Sequence, residues 1–178
     1  MIPGSTFHLR YPRKEEIPHL VHLMNLPEAR GQFLPRELFL PAVMEKRLMD
    51  AQESREHMEF FVIADQADQI LGRVFHFKTV PYFQSREIGY SMFTDEVRGK
   101  GIMTEAVTLL RDYLFDTTLL NRLEIHMNTE NKASERVAVK CGFQLEGTAR
   151  GAVFDRGRYH DILMYALLRD EWKALRDS

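Results

Sequence analysis

Seven consecutive residues, Arg98-Gly99-Lys100-Gly101-Ile102-Met103-Thr104, combine two glycines, two cations and the start of a helix. They follow a strand-like run, Arg86 to Phe93, and lead into Ile102, Ala106, Leu109, Leu110, Tyr113 and Leu114 at helical spacing. Glycines let a backbone approach a ligand closely, and the first turn of a helix leaves its N–H groups unpaired. Those donors, the positive end of the helix dipole, Arg98 and Lys100 together favour a phosphate or pyrophosphate. An ordinary strand-to-helix turn is the plain alternative.

Three phosphate-binding patterns compete for the stretch. A P-loop needs a glycine five residues before its Gly-Lys pair and a Ser or Thr after it. Thr94 and Gly101 stand in those places, so it fails twice. A dinucleotide fingerprint fits Gly99 and Gly101 but meets Thr104 at its third glycine. Glu124 could serve as its ribose-binding acid, which keeps an NAD-binding oxidoreductase open as an alternative. The third pattern is Arg/Gln-x-x-Gly-x-Gly/Ala, filled by Arg98, Gly101 and, with a departure, Met103.

On that third pattern the loop resembles the acetyl-CoA-binding loop of the GNAT N-acetyltransferases. The wording Gly-Ile-Met-Thr-Glu-Ala is most similar to the RimJ/RimL branch, the ribosomal-protein N-terminal acetyltransferases, which tolerates a larger residue at position 103. A second match follows in order: Asn131-Lys132-Ala133-Ser134, Val137, Lys140-Cys141-Gly142-Phe143 and Glu146-Gly147. Asn131 and Ser134 are three apart at a helix start and therefore share a face. Taken alone, Asn131 would simply cap the helix and Ser134 would be a passenger.

The resemblance implies acetyl-CoA as co-substrate, no metal, and direct attack of an amine without a covalent enzyme intermediate. It assigns Arg98, Gly99, Lys100, Gly101, Ile102, Met103 and Thr104 to the pyrophosphate, and Asn131 to the pantetheine arm. Backbone amides near Met92 and Phe93 would bind pantetheine and polarise the acetyl carbonyl. Glu87 takes the place of the general base, with or without an intervening water; a solvated strand-edge carboxylate is the alternative. Many GNAT enzymes carry a Tyr on the second helix as the acid. None lies between Asn128 and Cys141, so Ser134 is the candidate. The acceptor is a protein N-terminal α-amine or a small-molecule amine, and dimers are common in the family. A non-catalytic acyl-CoA-binding module is the other alternative.

The remaining chemistry-bearing residues are weaker. His126 and the pair His160-Asp161 are possible bases, although a lone strand histidine is usually structural. Cys141, before Gly142, reads as a small buried hydrophobe.

The elements that must position these residues can be outlined. With 178 residues and 44% hydrophobic content, the chain reads as one domain, residues 1–178, able to bury a core. A formal charge of −2 gives no field for nucleic acid, and one cysteine gives no internal disulfide. With no membrane-length apolar run, a cytoplasmic protein is expected. Strands are expected at Phe7–Tyr11, Arg86–Phe93, Arg122–Asn128, Phe143–Leu145 and Tyr159–Leu168. Met58–Ala64 and Ile70–Val80 should form a hairpin around Asp65–Asp68. Helices are expected around Ile17–Met24, ended by Pro27, around Val43 to about Arg55, after Gly101, and at Asn131–Lys140. This order implies an α/β fold, a central mixed sheet covered by helices on both faces, which is also the GNAT order. Pro27–Pro41 and Arg150–Asp161 should shape the acceptor pocket. Arg150, Arg156 and Arg158 against Asp155 and Asp161 argue mildly against a polycationic acceptor.

Overall fold

The computed structural model describes residues 1–34, 37–54, 56–80 and 82–177. β1 (Ile2–Pro3) and β2 (Phe7–Arg10) lead through a 3-10 turn into α1 (Ile17–Asn25), α2 (Pro27–Arg30) and α3 (Pro41–Glu53). All three helices carry a proline in the first turn, where the missing N–H has no intrahelical acceptor to serve. Pro27 therefore starts a short helix as well as ending α1. Arg55, the expected end of the third helical stretch, lies outside the described residues.

β3 (Met58–Asp65) and β4 (Ile70–Phe77) form the expected hairpin, and β4 stops short of Val80. Asp65 closes the turn by accepting from the N–H groups of Ala67 and Gln69 at 2.9 and 2.8 Å. β5 (Ser85–Met92), α4 (Ile102–Thr117), β6 (Arg122–Asn128) and α5 (Lys132–Lys140) follow as read from the sequence. β7 (Gln144–Asp155) and β8 (Arg158–Leu168) close the sheet, and α6 (Arg169–Arg176) ends the described chain.

The eight strands run in the order β1-β2-β3-β4-β5-β6-β8-β7, with β5–β6 the parallel pair. Alternation along β3 feeds two cores. Phe61 and Ile63 pack towards α4 with Val74, Leu110, Leu114 and Leu123. Phe60 and Val62 pack towards α1 and α3 with Ile17, Leu20 and Leu48. Helices thus cover both faces, as expected. Among the described residues no helix is long and apolar enough to cross a membrane.

Two elements went beyond the sequence pattern. β7 is 12 residues long, not the three of Phe143–Leu145, because it is an exposed edge strand with irregular register near Leu145–Gly147 and Ala149–Val153. Gly147, Arg150 and Gly151 break the alternation that would have revealed it. α6 holds the lower end of α4. Trp172 stacks on Phe115 at 5.1 Å and donates to Asp112 at 2.8 Å. Arg169 donates to the carbonyls of Phe115, Thr118 and Leu120, satisfying acceptors that the end of α4 leaves open. With its C-terminal end fixed this way, α4 presents its N-terminus at the opposite rim of the sheet.

Candidate active site

The β5–β6 ladder joins Ser85 to Arg122, Arg86 to Leu123 and Glu87 to Glu124, and then stops. β5 continues to Met92 and β6 to Asn128, so the sheet opens between them. β6 then pairs with β8 over its whole length, up to Asn128 opposite Ile162. The opening is therefore bounded on both sides by paired strands.

The glycine loop lies at the end of β5. Gly99 and Gly101 have φ of 76° and 84°, a region that L side chains rarely adopt. A Cβ built on either would meet nothing within 4 Å, so the space above both is open. Gly101 is the N-cap of α4 and supplies no capping side chain. The first N–H groups of α4, on Ile102, Met103 and Thr104, are therefore donors awaiting an acceptor. Ile102 and Met103 point their side chains into the core, and the Thr104 carbonyl accepts from Cys141 Sγ at 3.4 Å. These residues fit a pyrophosphate through their backbone. Arg98 does not stand free. It bonds Asp95 at 2.7 Å and donates to the Glu28 carbonyl at 2.9 Å, tying the loop to α2. Lys100 is exposed, with no ion pair among the described residues.

Strand parity separates Met92 from Phe93. The Phe93 N–H donates to Leu71 O at 2.9 Å and belongs to the β4 side. The amide one residue earlier, that of Met92, consequently faces the opening. Of the two amides expected to serve as donors, that of Phe93 is engaged by β4 and that of Met92 faces the opening.

At α5, Asn131 Oδ1 accepts from the Ser134 N–H at 3.1 Å and caps the helix. Its amide nitrogen remains a donor. Ser134 Oγ lies 2.8 Å from the hydroxyl of Tyr90, which reaches it from β5 across the opening. Sequence reading missed Tyr90. Its only signal was even-numbered parity with Ile88 and Met92 on the strand. Burial pushes the Tyr90 phenol above its ordinary range, partly offset by the Ser134 bond. Cys141 is buried, and burial raises its thiol too, as suits a packing role.

Glu87 and His126 meet at the mouth of the opening, Oε2 to Nδ1, at 3.1 Å. His126 Nε2 is buried without a hydrogen-bond partner, and Glu124 Oε2 is 3.7 Å away. The bond to Glu87 is the main cause holding the His126 pKa above 6.5, while burial opposes it. Glu124 is 8% exposed and bonds Arg122 at 2.6 Å. A buried, engaged carboxylate on a sheet that opens at this point is no ribose acid, and the dinucleotide alternative falls with it. Beside Glu87 and His126 lies a cavity of about 620 Å³, walled by Gln32 and Phe33 on one side and Ala152, Val153, Asp155 and Arg158 on the other. Both segments expected to shape a pocket contribute, though Pro35 and Arg36 lie outside the described residues. His160 joins the lining and faces the Asp155 carbonyl at 3.1 Å, so it is not paired with Asp161.

A family profile, the acetyltransferase (GNAT) domain, matches residues 6–144. The chain belongs to the GNAT family. It is 38% identical over 133 residues to the Probable N-acetyltransferase YjcK of Bacillus subtilis, covering 71% of each chain. Escherichia coli ribosomal-protein-serine acetyltransferase is 29% identical over 116 residues, 65% of this chain and 64% of the other. Another B. subtilis relative, YdaF, is 40% identical, but over only 49% of this chain and 48% of its own length. Among solved structures, the ribosomal L7/L12 α-N-protein acetyltransferase RimL in complex with coenzyme A superposes with a TM-score of 0.83. That match is 26% identical and covers 96% of this chain and 98% of RimL. This GNAT protein is thus an N-acetyltransferase by family, of the RimL-like kind.

Proposed function

We propose that this GNAT protein transfers an acetyl group from acetyl-CoA to a primary amine entering through the cavity beside Glu87 and His126. The observation that carries the reading is where the β5–β6 ladder ends. It ends at Glu87, beside the cavity, and the strands part towards the Gly101 cap of α4. In this reading the phosphate seat and the carboxylate lie at the two ends of one opening.

Each residue has a physical task along that opening. The N–H groups of Ile102, Met103 and Thr104, with Gly99 and Lys100, hold the pyrophosphate. Arg98 keeps the loop in place through Asp95 and Glu28. The Met92 amide and the Asn131 amide nitrogen hold the pantetheine arm in the opening. The bound thioester supplies the acyl group and a sulfur leaving group. Glu87 accepts the amine proton directly or through one water, with His126 fixing the carboxylate. Ser134 donates to the departing sulfur, where its effect grows as charge builds.

The acceptor we favour is a protein N-terminal α-amine. The name of the E. coli relative supports it. We further propose that residues 1–178 act as one domain, and that a lone buried Cys141 suits the cytoplasm. The test is a thiol-release screen with acetyl-CoA against free-N-terminus peptides, spermidine and aminoglycosides. Release with acetylated peptide as product supports the reading. Coenzyme A binding with no turnover of any amine would replace it by an acyl-CoA-binding module.

A further inference from the structure

We propose that Tyr90 is the positioning residue for Ser134, and that its phenol directs the serine proton towards the leaving sulfur. The inference rests on the acetyltransferase reading above. Tyr90 Oη is 2.8 Å from Ser134 Oγ and 3.3 Å from the Ser134 carbonyl, so both contacts converge on one residue at the start of α5. No other strand side chain among the described residues bonds this serine across the opening. A serine in a helix commonly turns its hydroxyl back to a carbonyl of the preceding turn, which would use up its one proton. A phenol donating into Oγ occupies a serine lone pair and leaves that proton to point elsewhere. At 2.8 Å either hydroxyl can be the donor, and the proposal assigns that role to the phenol.

The chemistry balances without a proton from Tyr90. The amine nitrogen bonds to the acetyl carbon and gives its proton to Glu87. The carbon–sulfur bond breaks, and its electron pair leaves with sulfur. Ser134 meets that charge with a hydrogen bond from its O–H and keeps the proton, and sulfur takes its proton from solvent. A thiol is ordinarily the stronger acid, with a pKa of about 8.5 against about 10 for a phenol. Tyr90 therefore keeps its proton throughout and acts by orientation.

The place also explains a gap in the sequence. No tyrosine lies on α5 or in the loop before it, yet one arrives at that helix from the strand opposite, 44 residues earlier.

The experiment compares Tyr90→Phe, Ser134→Ala and the double variant, using acetyl-CoA and a peptide with an N-terminal serine. Tyr90→Phe keeps the ring and removes only the hydroxyl. Its kcat should fall about five- to twentyfold, the size expected for one lost hydrogen bond that matters in the transition state. KM for acetyl-CoA and the Tm should stay close to wild type. The double variant should be no slower than Ser134→Ala, since two residues acting as a unit are not additive. Wild-type kcat in Tyr90→Phe, or losses that multiply, would overturn the inference while leaving the acetyltransferase reading intact. A wild-type protein that turns over no amine in the screen would overturn both. If Tyr90→Phe melts early, Tyr90→His, which restores a donor on a ring, should recover kcat; failure to recover it counts against orientation.

Discussion

Glu87 Oε2 and His126 Nδ1 lie 3.1 Å apart where the parallel β5–β6 ladder has just ended. The two side chains come from neighbouring strands that no longer bond each other, so the contact bridges the start of the opening. This is the point at which the cavity lined by both side chains meets the sheet.

The bond raises the His126 pKa above 6.5. Titration of His126 by NMR should place its midpoint above that value, and Glu87→Gln should bring it down. A histidine with a raised folded pKa stabilises the fold fully below the unfolded value and loses that contribution as pH rises through the folded pKa. Wild type should therefore lose stability across that window, and Glu87→Gln should lose less. An unchanged His126 midpoint in the variant would dissociate the pair.

As the proposed base, Glu87 should matter to rate more than to binding. Glu87→Gln should lower turnover about a hundredfold, the usual scale for a positioned base. Coenzyme A affinity by calorimetry should hardly move. A variant at wild-type rate across the pH range would make Glu87 a structural carboxylate and His126 the next candidate.

Gly101→Val should remove most of the heat of coenzyme A binding, and NAD should give none with either protein. A left-handed residue at φ 84° costs about 1–2 kcal/mol once it carries a Cβ, so some loss of Tm is expected too. Gly157→Val is the control. Its φ is 79° and it lies in the β7–β8 turn, so it should share the strain and keep the binding. Equal binding losses in both variants would mean that strain, not the loop, is being read.

How far these sites were legible from sequence differs for physical reasons. The glycine loop announced itself because left-handed backbone and an uncapped helix start both demand glycine locally. Asn131 and Ser134 were legible because a cap and its N3 residue sit three apart on one turn. The Met92 amide was not separable from that of Phe93, because the direction of a strand N–H depends on which neighbour takes it. The tie of Arg98 to α2 was not legible, because Glu28 is 70 residues away and its carbonyl leaves no pattern. Tyr90 and β7 were hidden alike. One needs a helix brought across the opening, and the other is an edge strand held by β8 rather than by its own apolar rhythm.

Removing the aromatic contact under α4 should test the scaffold apart from the chemistry. Trp172 is 4% exposed and stacked on Phe115. Trp172→Ala should cost about 3–5 kcal/mol in chemical denaturation. Asn131→Ala should cost about 1 kcal/mol through the lost cap, together with weaker coenzyme A binding. A full-strength cap loss with unchanged binding would confine Asn131 to structure.

The position of the coenzyme A sulfur in a crystal of the complex tests the account most directly. The account predicts pyrophosphate oxygens on the N–H groups following Gly101, the pantetheine arm in the opening between β5 and β6, and the sulfur within hydrogen-bonding distance of Ser134 Oγ. A coenzyme bound outside that opening, or with its sulfur turned away from Ser134 and the Glu87 cavity, would contradict it.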